Sequence, residues 1–269
     1  MSDKYISINN IAREFEIKKG DIINLSSDIL ALAYIAKNKE GTFDANNILD
    51  SFIDCIGSEG TLLVPTFNFD FSNKGFYDYK NTKCTTGALG NIALERSDFK
   101  RTWNPMHSYA IWGKYKDELC SIQNLNSFGQ DSPFAWMYKN NAIQILLGTD
   151  YQRGMTFVHY VETKEKVPYR FHKEFTGTYV KADGTSSTIT IEYPAKYLEY
   201  GSVEKFNRIG QILEKNGVSH QYVINGIQCY KMNLADCYPF IQNDILYNQC
   251  RNLFDFKIER EKIWSDHCG

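Results

Sequence analysis

The run Gly60-Thr61-Leu62-Leu63-Val64-Pro65-Thr66 contains three large apolar residues in a row and stops at a proline. Such a run indicates a strand buried on both faces, as in the interior of a sheet. Two similar runs extend from Asp21 to Ser26 and from Ala142 to Gly148. Helical apolar spacing over residues 29–35 and 48–56 separates the first two strands. Strands alternating with helices predict an α/β core with substantially parallel pairing.

The edge of the predicted sheet where these three strands end carries small polar residues. Ser26-Ser27, Pro65-Thr66 and Gly148-Thr149 lie at those three ends. Ligands of open α/β sheets bind beyond the carboxyl ends of the strands. We therefore expect the functional site at this edge.

The pattern changes after residue 168. Alternating Thr, Ile, Tyr and Val residues flank Asp183-Gly184, which predicts a β-hairpin with an Asp-Gly turn, and residues 203–216 have helical spacing. We predict a single domain over residues 1–269, with the α/β core in 1–168 and a β-hairpin plus helices in 169–269. The fold class is thus α/β, a mixed-sheet core flanked by helices with a β-rich C-terminal portion.

Composition restricts the classes of protein to which the chain can belong. Its 30 basic and 32 acidic residues give a net charge of −2, which excludes a generally basic nucleic-acid binder. No apolar run approaches the roughly 20 residues that span a bilayer, and Met1–Tyr5 does not begin a signal peptide. Seven scattered cysteines without a C-x-x-C pair favour reduced thiols. We expect a cytoplasmic protein with no membrane or nucleic-acid partner.

The sharpest local feature is the segment Thr156–Glu162, which contains His159 and Glu162. On a helix these two side chains share a face, since they are three residues apart. A carboxylate can then fix the tautomer of the imidazole and stabilise its protonated form, as a general base requires. The alternative is a surface or capping pair. No H-E-x-x-H pattern or third ligand stands nearby, so we predict no metal site.

Three further segments are candidates for chemistry. Arg101–Ser108 places His107 beside a hydroxyl, and the alternative is an ordered loop. A Gly/Pro loop contains Asp131, and the alternative is a simple turn before a helix. Residues 85–90 can open a helix whose free N–H groups bind an anion, or form a helix cap without a ligand.

Taken in order, these segments resemble the aminoglycoside 3-N-acetyltransferase family over residues 20–172. The matching motifs are Gly20-Asp21, Leu25-Ser26-Ser27, Gly57–Thr66, Thr86–Gly90, Arg101 with Asn104-Pro105 and His107-Ser108, Phe128-Gly129 with Asp131-Ser132-Pro133, Leu147-Gly148, and Thr156, His159 and Glu162 before Val167–Arg170. One departure is Asn104, where many members have histidine. The residues after 172 match only loosely.

The resemblance implies an enzyme that transfers an acyl group from acyl-CoA, either acetyl-CoA or a longer one, to the primary amine of an amino sugar. It implies direct attack by the amine with a histidine general base. The catalytic assignments are His159, Glu162 as its positioning partner, and His107. The residues assigned to coenzyme A are Ser26, Ser27, Thr66, Thr86, Gly87 and Ser108. Those assigned to the acceptor, near the end of the second strand and in the Gly/Pro loop, are Asn68, Asp70 and Asp131.

The class of acceptor stays open between several alternatives. An aromatic-rich chain of nearly neutral charge favours a nucleotide-linked amino-deoxysugar for surface-glycan synthesis, because such acceptors are anionic and carry a base. The alternative is a polycationic aminoglycoside. A hydrolase of thioesters or amides and a non-catalytic CoA- or sugar-binding relative are lesser alternatives. A homodimer is expected from base rates alone.

Overall fold

The structure, a computed structural model, describes residues 5–265, so the His267 and Cys268 positions lie outside it. The strands are β1 (Ile22–Ser27), β2 (Thr61–Pro65), β3 (Phe76–Asp78), β4 (Lys100–Arg101), β5 (Tyr109–Gly113), β6 (Ile143–Leu147), β7 (Arg170–Val180), β8 (Ser186–Lys196), β9 (Val203–Glu204), β10 (Ser219–Ile224), β11 (Ile227–Asn233) and β12 (Phe254–Asp255). The helices are α1 (Leu30–Glu40), α2 (Asn46–Ile56), α3 (Asp70–Lys74), α4 (Ala88–Glu95), α5 (Lys116–Ser121), α6 (Pro133–Lys139), α7 (Tyr151–Gly154), α8 (Phe157–Lys164), α9 (Phe206–Lys215), α10 (Leu234–Asn248) and α11 (Arg260–Ser265). A 3-10 helix, Ile8–Phe15, precedes β1.

A seven-stranded mixed sheet in the order β10-β11-β6-β1-β2-β5-β4 forms the centre. The three strands predicted from apolar runs are its three middle strands, and β1 pairs in parallel with both β2 and β6. The other pairs in this sheet are antiparallel. Parallel pairing is therefore confined to the three middle strands. The alternation of strands and helices predicted a larger share of parallel pairs.

Both faces of the middle strands are covered. On β2, Leu62 and Val64 pack with the 3-10 helix, α1, α2 and α4, whereas Leu63 packs on the opposite face with α6, α8, α9 and α10. Successive side chains on a strand point to opposite faces, so a strand covered on both sides is apolar at most positions. β2 therefore contains the unbroken run Leu62-Leu63-Val64, whereas the buried polar residues Asn24 of β1 and Gln144 of β6 bond to each other at 2.6 Å.

The C-terminal portion contributes to both the central sheet and a separate one. β7 and β8 form the predicted hairpin, which pairs with β3 in a three-stranded sheet. β11 pairs with β6, so the central sheet includes strands from both sides of residue 168. The division into one domain stays a prediction, and this shared sheet is the structural feature that bears on it.

Local details refine the sequence interpretation. The first helix begins at Leu30, and Asp28 accepts a bond from the Leu30 N–H at 3.3 Å without being its N-cap. Gly57 is the C-cap of α2, and Ser132 caps α6 with Pro133 at its first position. The six cysteines within residues 5–265 are free thiols. Across the same residues no helix combines the length and apolarity needed to cross a bilayer.

Candidate active site

A cavity of about 700 Å³ opens at the carboxyl edge of the three middle strands. Ser26 and Ser27 from β1, Pro65 from β2 and Thr149 after β6 all line it. Because β1 is parallel to its two neighbours, these strand ends meet at one edge. The predicted location of the site therefore coincides with a real cavity.

One wall of the cavity comes from α1, α4 and the loops beside them. Its lining is largely apolar and small, and includes Ala33, Phe43, Ala45, Gly87, Ala88 and Ile92. Gly90 lets α4 pack closely on β2, because a Cβ there would lie 2.5 Å from the Pro65 carbonyl oxygen. Thr86 and Gly87 stand at the start of α4, where the free N–H groups of a helix lie. This wall is therefore largely apolar, with the Thr86 hydroxyl and the amides at the start of α4 among its polar groups.

The opposite part of the cavity carries His159 on α8. Its Nδ1 lies 2.6 Å from Oε2 of Glu162, which is fully buried. The predicted three-residue spacing thus produces a real contact. The side chain of His159 is 17% exposed, so His159 faces the cavity, whereas Glu162 is completely buried.

Two residues beyond the turn at Pro168 complete this group. The Tyr169 hydroxyl donates to Glu162 Oε1 at 2.6 Å, and Arg170 Nη2 lies 3.0 Å from Glu162 Oε2. Burial alone would raise the pKa of Glu162, but the charge of Arg170 and the bonds from His159 and Tyr169 outweigh it and lower that pKa to about 2. Glu162 is therefore a carboxylate at neutral pH. We call these four residues the Glu162 cluster.

The ionised state of Glu162 determines the tautomer of His159. A carboxylate only accepts, so the 2.6 Å contact requires a proton on Nδ1. Arg170 Nη2 also lies 3.2 Å from Nδ1, but with a proton there the arginine bonds to the carboxylate instead. The lone pair of the neutral imidazole is then on Nε2, which has no hydrogen-bond partner among residues 5–265.

His107 lines the same cavity but has a different environment. Its ring is 3% exposed and packs among aromatic rings, stacking parallel to Tyr193 at 5.8 Å and lying 4.7 Å from Phe128. Phe128 also contacts His159, with ring centroids 5.4 Å apart. Burial, and to a lesser degree the nearby His159, lowers the pKa of His107 to about 3. His107 is thus a neutral imidazole, and its buried Nδ1 has no partner within the described chain.

Asn104, the departure from the family pattern, holds the turn before His107. Its side-chain oxygen accepts from the backbone N–H groups of Met106 and His107 at 3.0 and 2.9 Å. Its Nδ2 donates to the Asn124 carbonyl at 3.1 Å. Asn104 is fully buried and outside the cavity lining, so its role in this chain is to fix the backbone at His107.

Thr66 and Ser108 are bonded to each other and to a buried arginine. Their hydroxyl oxygens are 2.8 Å apart, and Arg101 donates from Nε to Ser108 Oγ at 2.9 Å and from Nη2 to the Thr66 carbonyl at 3.1 Å. All three side chains are buried and none lines the cavity. We call them the Arg101 cluster. Ser26, Ser27, Thr86 and Gly87, the other residues assigned to coenzyme A, do line the cavity.

None of the three residues assigned to the acceptor lines the cavity. Asn68 is buried and donates to the Lys83 carbonyl at 2.8 Å. Asp70 is half-buried at the start of α3 and forms an ion pair with Lys74 at 3.1 Å. Asp131 is exposed in the loop before α6. Their roles stay predictions.

A second groove of about 610 Å³ runs along the β7–β8 hairpin and shares Tyr193 with the first cavity. No role was predicted for Tyr169, Arg170 or Tyr193. Tyr169 and Arg170 lie in the family-like segment Val167–Arg170, just after Pro168, but the match of that segment does not show what its side chains contact. Among residues 5–265 no group of three or more His, Cys, Asp or Glu side chains can hold a metal.

The family model for aminoglycoside 3-N-acetyltransferase matches residues 32–244. The chain belongs to this family. Membership confirms the predicted fold class and the prediction of a CoA-dependent N-acyltransferase. A similar curated protein is the SPbeta prophage-derived aminoglycoside N(3')-acetyltransferase-like protein YokD of Bacillus subtilis (strain 168). It is 22% identical, and the match covers 92% of this chain and 94% of YokD.

Solved structures show the same fold. The aminoglycoside acetyltransferase AAC(3)-Xa superposes with a TM-score of 0.75 at 17% identity, covering 91% of this chain and 94% of its own. AAC-IIIb, described as a binary complex with CoASH, has a TM-score of 0.74 at 16% identity, covering 90% and 97%. AAC-VIa, solved with bound sisomicin, has a TM-score of 0.75 at 15% identity, covering 90% and 98%.

Proposed function

We propose that this chain transfers an acetyl group from acetyl-CoA to a primary amine of an aminoglycoside-type amino sugar. The observation that carries the proposal is the His159–Glu162 pair, in which Glu162 is an ionised buried carboxylate and the opposite edge of the imidazole faces the cavity. The aminoglycoside acceptor follows the names of the relatives, and it was the alternative in the sequence analysis.

The cavity lining fits an acyl-CoA. The apolar wall of Ala33, Phe43 and Ile92 suits a long, thin pantetheine arm. Ser27, Thr86 and the start of α4 supply hydroxyl and N–H donors for its amides and phosphates. Bound acyl-CoA supplies an activated thioester, so no covalent enzyme intermediate is needed.

His159 acts as the general base. As the amine nitrogen bonds to the thioester carbon, Nε2 takes a proton from that nitrogen. Glu162 keeps the lone pair on Nε2 and stabilises the imidazolium that forms. Collapse of the tetrahedral adduct breaks the C–S bond, the sulfur keeps the electron pair, and the proton on His159 can pass to the sulfur.

A second acceptor class is favoured by the hairpin groove. Its lining includes Arg170, Lys173 and Lys196, and Glu199 is the one carboxylate among the described residues that line it. Arg170 and Lys196 are already paired with Glu162 and Glu204, so the groove offers an anionic acceptor mainly Lys173 and aromatic rings, and it offers a polycationic acceptor few carboxylates. This supports a nucleotide-linked amino sugar as the second candidate.

A thiol-release assay with acetyl-CoA tests the proposal. The panel contains sisomicin, a second aminoglycoside, a nucleotide-linked amino-deoxysugar and a blank without amine. Turnover with the aminoglycosides supports the first acceptor class, and turnover with the nucleotide sugar alone supports the second. Equal turnover in the blank would mean a hydrolase and would refute transfer to an amine.

The variant His159→Ala identifies the base. We expect kcat to fall by roughly 100-fold or more, with coenzyme A binding nearly intact, because the proton acceptor is lost while the apolar wall remains. His220→Ala removes an exposed histidine on β10, outside the cavity lining, and is the matched control. Wild-type turnover in His159→Ala would exclude His159 as the base.

A further inference from the structure

His107 presents a polar side chain that the folded chain does not satisfy. Nδ1 is buried and without a partner, and neither ring nitrogen bonds to any residue among 5–265. Aromatic rings surround it: Phe67, Phe69, Phe128, Phe134 and Tyr193 lie with centroids 4.7–6.4 Å from its own. Because Nδ1 is sealed inside the fold while the ring lines the cavity, Nε2 is the nitrogen that can bond to a ligand there.

The tautomer of His107 follows from its surroundings. An orphaned buried N–H is rarer than an under-satisfied acceptor, so the single proton of the neutral ring belongs on Nε2 rather than on the sealed Nδ1. Because Nδ1 is sealed and the ring lines the cavity, we place Nε2–H on the cavity side. The cavity then holds two imidazoles of opposite function: His159 offers a lone pair, and His107 offers an N–H.

We propose that His107, as a neutral imidazole, donates a hydrogen bond to the carbonyl oxygen of the bound acyl thioester. The proposal rests on the acyl transfer proposed above and names the donor for its charged adduct. When the amine nitrogen forms the C–N bond, the π-electron pair of the C=O bond moves onto oxygen. A donor placed beforehand stabilises that negative charge. The pair returns as the C–S bond breaks.

The protein holds this donor rigidly. Asn104 fixes the backbone at His107, and parallel stacking on Tyr193 fixes the plane of the ring. A neutral ring also avoids placing a second cation beside the imidazolium of His159 during the reaction, since the two rings share Phe128 as a neighbour. Asn104 and Tyr193 are thus positioning residues for His107.

Three variants of His107 test whether a donor at the position of Nε2 is required. His107→Phe keeps an aromatic ring without nitrogen, and kcat should fall about 100-fold with less than a threefold change in the KM for acetyl-CoA. His107→Gln places an amide N–H near the position of Nε2 and should recover at least tenfold of that loss. His107→Asn places its amide near Nδ1 and should not. Equal activity of the Gln and Asn variants, or a loss confined to KM, would overturn the proposal in favour of packing.

A measurement on the wild-type enzyme does not depend on turnover. Nitrogen-15 NMR of the histidine rings should show one imidazole that stays neutral from pH 8 to pH 5 with its proton on Nε2, and this resonance should disappear in His107→Phe. Added acetyl-CoA should shift that Nε2 proton downfield. A proton on Nδ1, or no shift with acetyl-CoA bound, would overturn the proposal. Failure of acetyl-CoA to bind would instead refute the proposed function on which it rests.

Discussion

The Glu162 cluster and the Arg101 cluster each contain a buried arginine and hydroxyl groups, yet they differ in what they leave unpaired. In the Glu162 cluster, Arg170 pairs with a carboxylate that also holds His159, and one edge of His159 stays free at the cavity. In the Arg101 cluster, the arginine bonds to carbonyls and to Ser108, and no carboxylate within the described chain pairs with it. Only the Glu162 cluster has a side chain that lines the cavity, and this difference is why we propose it, rather than the Arg101 cluster, as the site of chemistry.

Breaking the buried ion pair should have the largest effect. Glu162→Gln leaves Arg170 buried without its counter-charge, so we expect the free energy of unfolding to fall by about 3 kcal/mol. We also expect kcat to fall about 100-fold, since an amide stabilises the imidazolium of His159 less well. Denaturant unfolding and steady-state kinetics measure the two effects.

A double variant separates charge from catalysis. Glu162→Gln with Arg170→Met removes the unpaired charge as well and should recover part of the lost stability without recovering kcat. If the Glu162→Gln protein alone unfolds at the wild-type denaturant midpoint, the ion pair does not stabilise the fold.

The pH dependence of stability tests the same cluster. The pKa of Glu162 is lowered from an ordinary value near 4.5 to about 2, so its stabilisation is complete above pH 5 and is lost as the pH falls towards 2. Since one pKa unit corresponds to about 1.4 kcal/mol, the loss attributable to this group is about 3 kcal/mol. Unfolding measured between pH 6 and pH 2.5 should therefore have a steeper acid slope in the wild type than in Glu162→Gln. Parallel slopes would contradict the lowered pKa.

The Arg101 cluster should respond in stability rather than in chemistry. Arg101→Met removes a donor to the Thr82 carbonyl and one of the bonds made by the Thr66 carbonyl and the Ser108 hydroxyl, which we expect to cost about 2 kcal/mol. Ser108→Ala should cost about 1 kcal/mol. The dissociation constant for coenzyme A should change less than threefold in Ser108→Ala, because Ser108 does not line the cavity. A tenfold weaker affinity would support the direct contact that the family resemblance implies for Ser108.

These contrasts explain which parts of the molecule were predictable from the sequence. The middle strands could be predicted because burial on two faces leaves a local apolar pattern, and the hairpin could be predicted from its Asp-Gly turn. The antiparallel pairing of β5 with β2 and of β11 with β6 could not be predicted, since strand direction has no periodic signature. His159 and Glu162 were predictable because a helix brings residues three apart together, whereas Arg170 reaches Glu162 only through the turn before β7.

The limit of prediction from the sequence is clearest at two neighbouring residues. His107 and Ser108 are adjacent and were both assigned to the site, yet the imidazole lines the cavity while the hydroxyl is sealed against Thr66. Their direction depends on the turn that Asn104 holds, and a single sequence does not reveal that the asparagine side chain bonds to the backbone of His107.

The smallest effect is expected at Asp70, where the sequence predicted acceptor binding and the structure shows an exposed ion pair with Lys74. Such pairs contribute little to stability, so Asp70→Asn should change the free energy of unfolding by less than about 0.5 kcal/mol. If Asp70 attracts a cationic acceptor past Phe69, which contacts His107, the acceptor KM should rise about threefold at low salt and less at high salt. Lys74→Met breaks the same ion pair but keeps the carboxylate, so it should lower the KM or leave it unchanged. Equal effects of the two variants would assign Asp70 to the surface of α3 alone, and an unchanged KM in Asp70→Asn would remove it from the acceptor site.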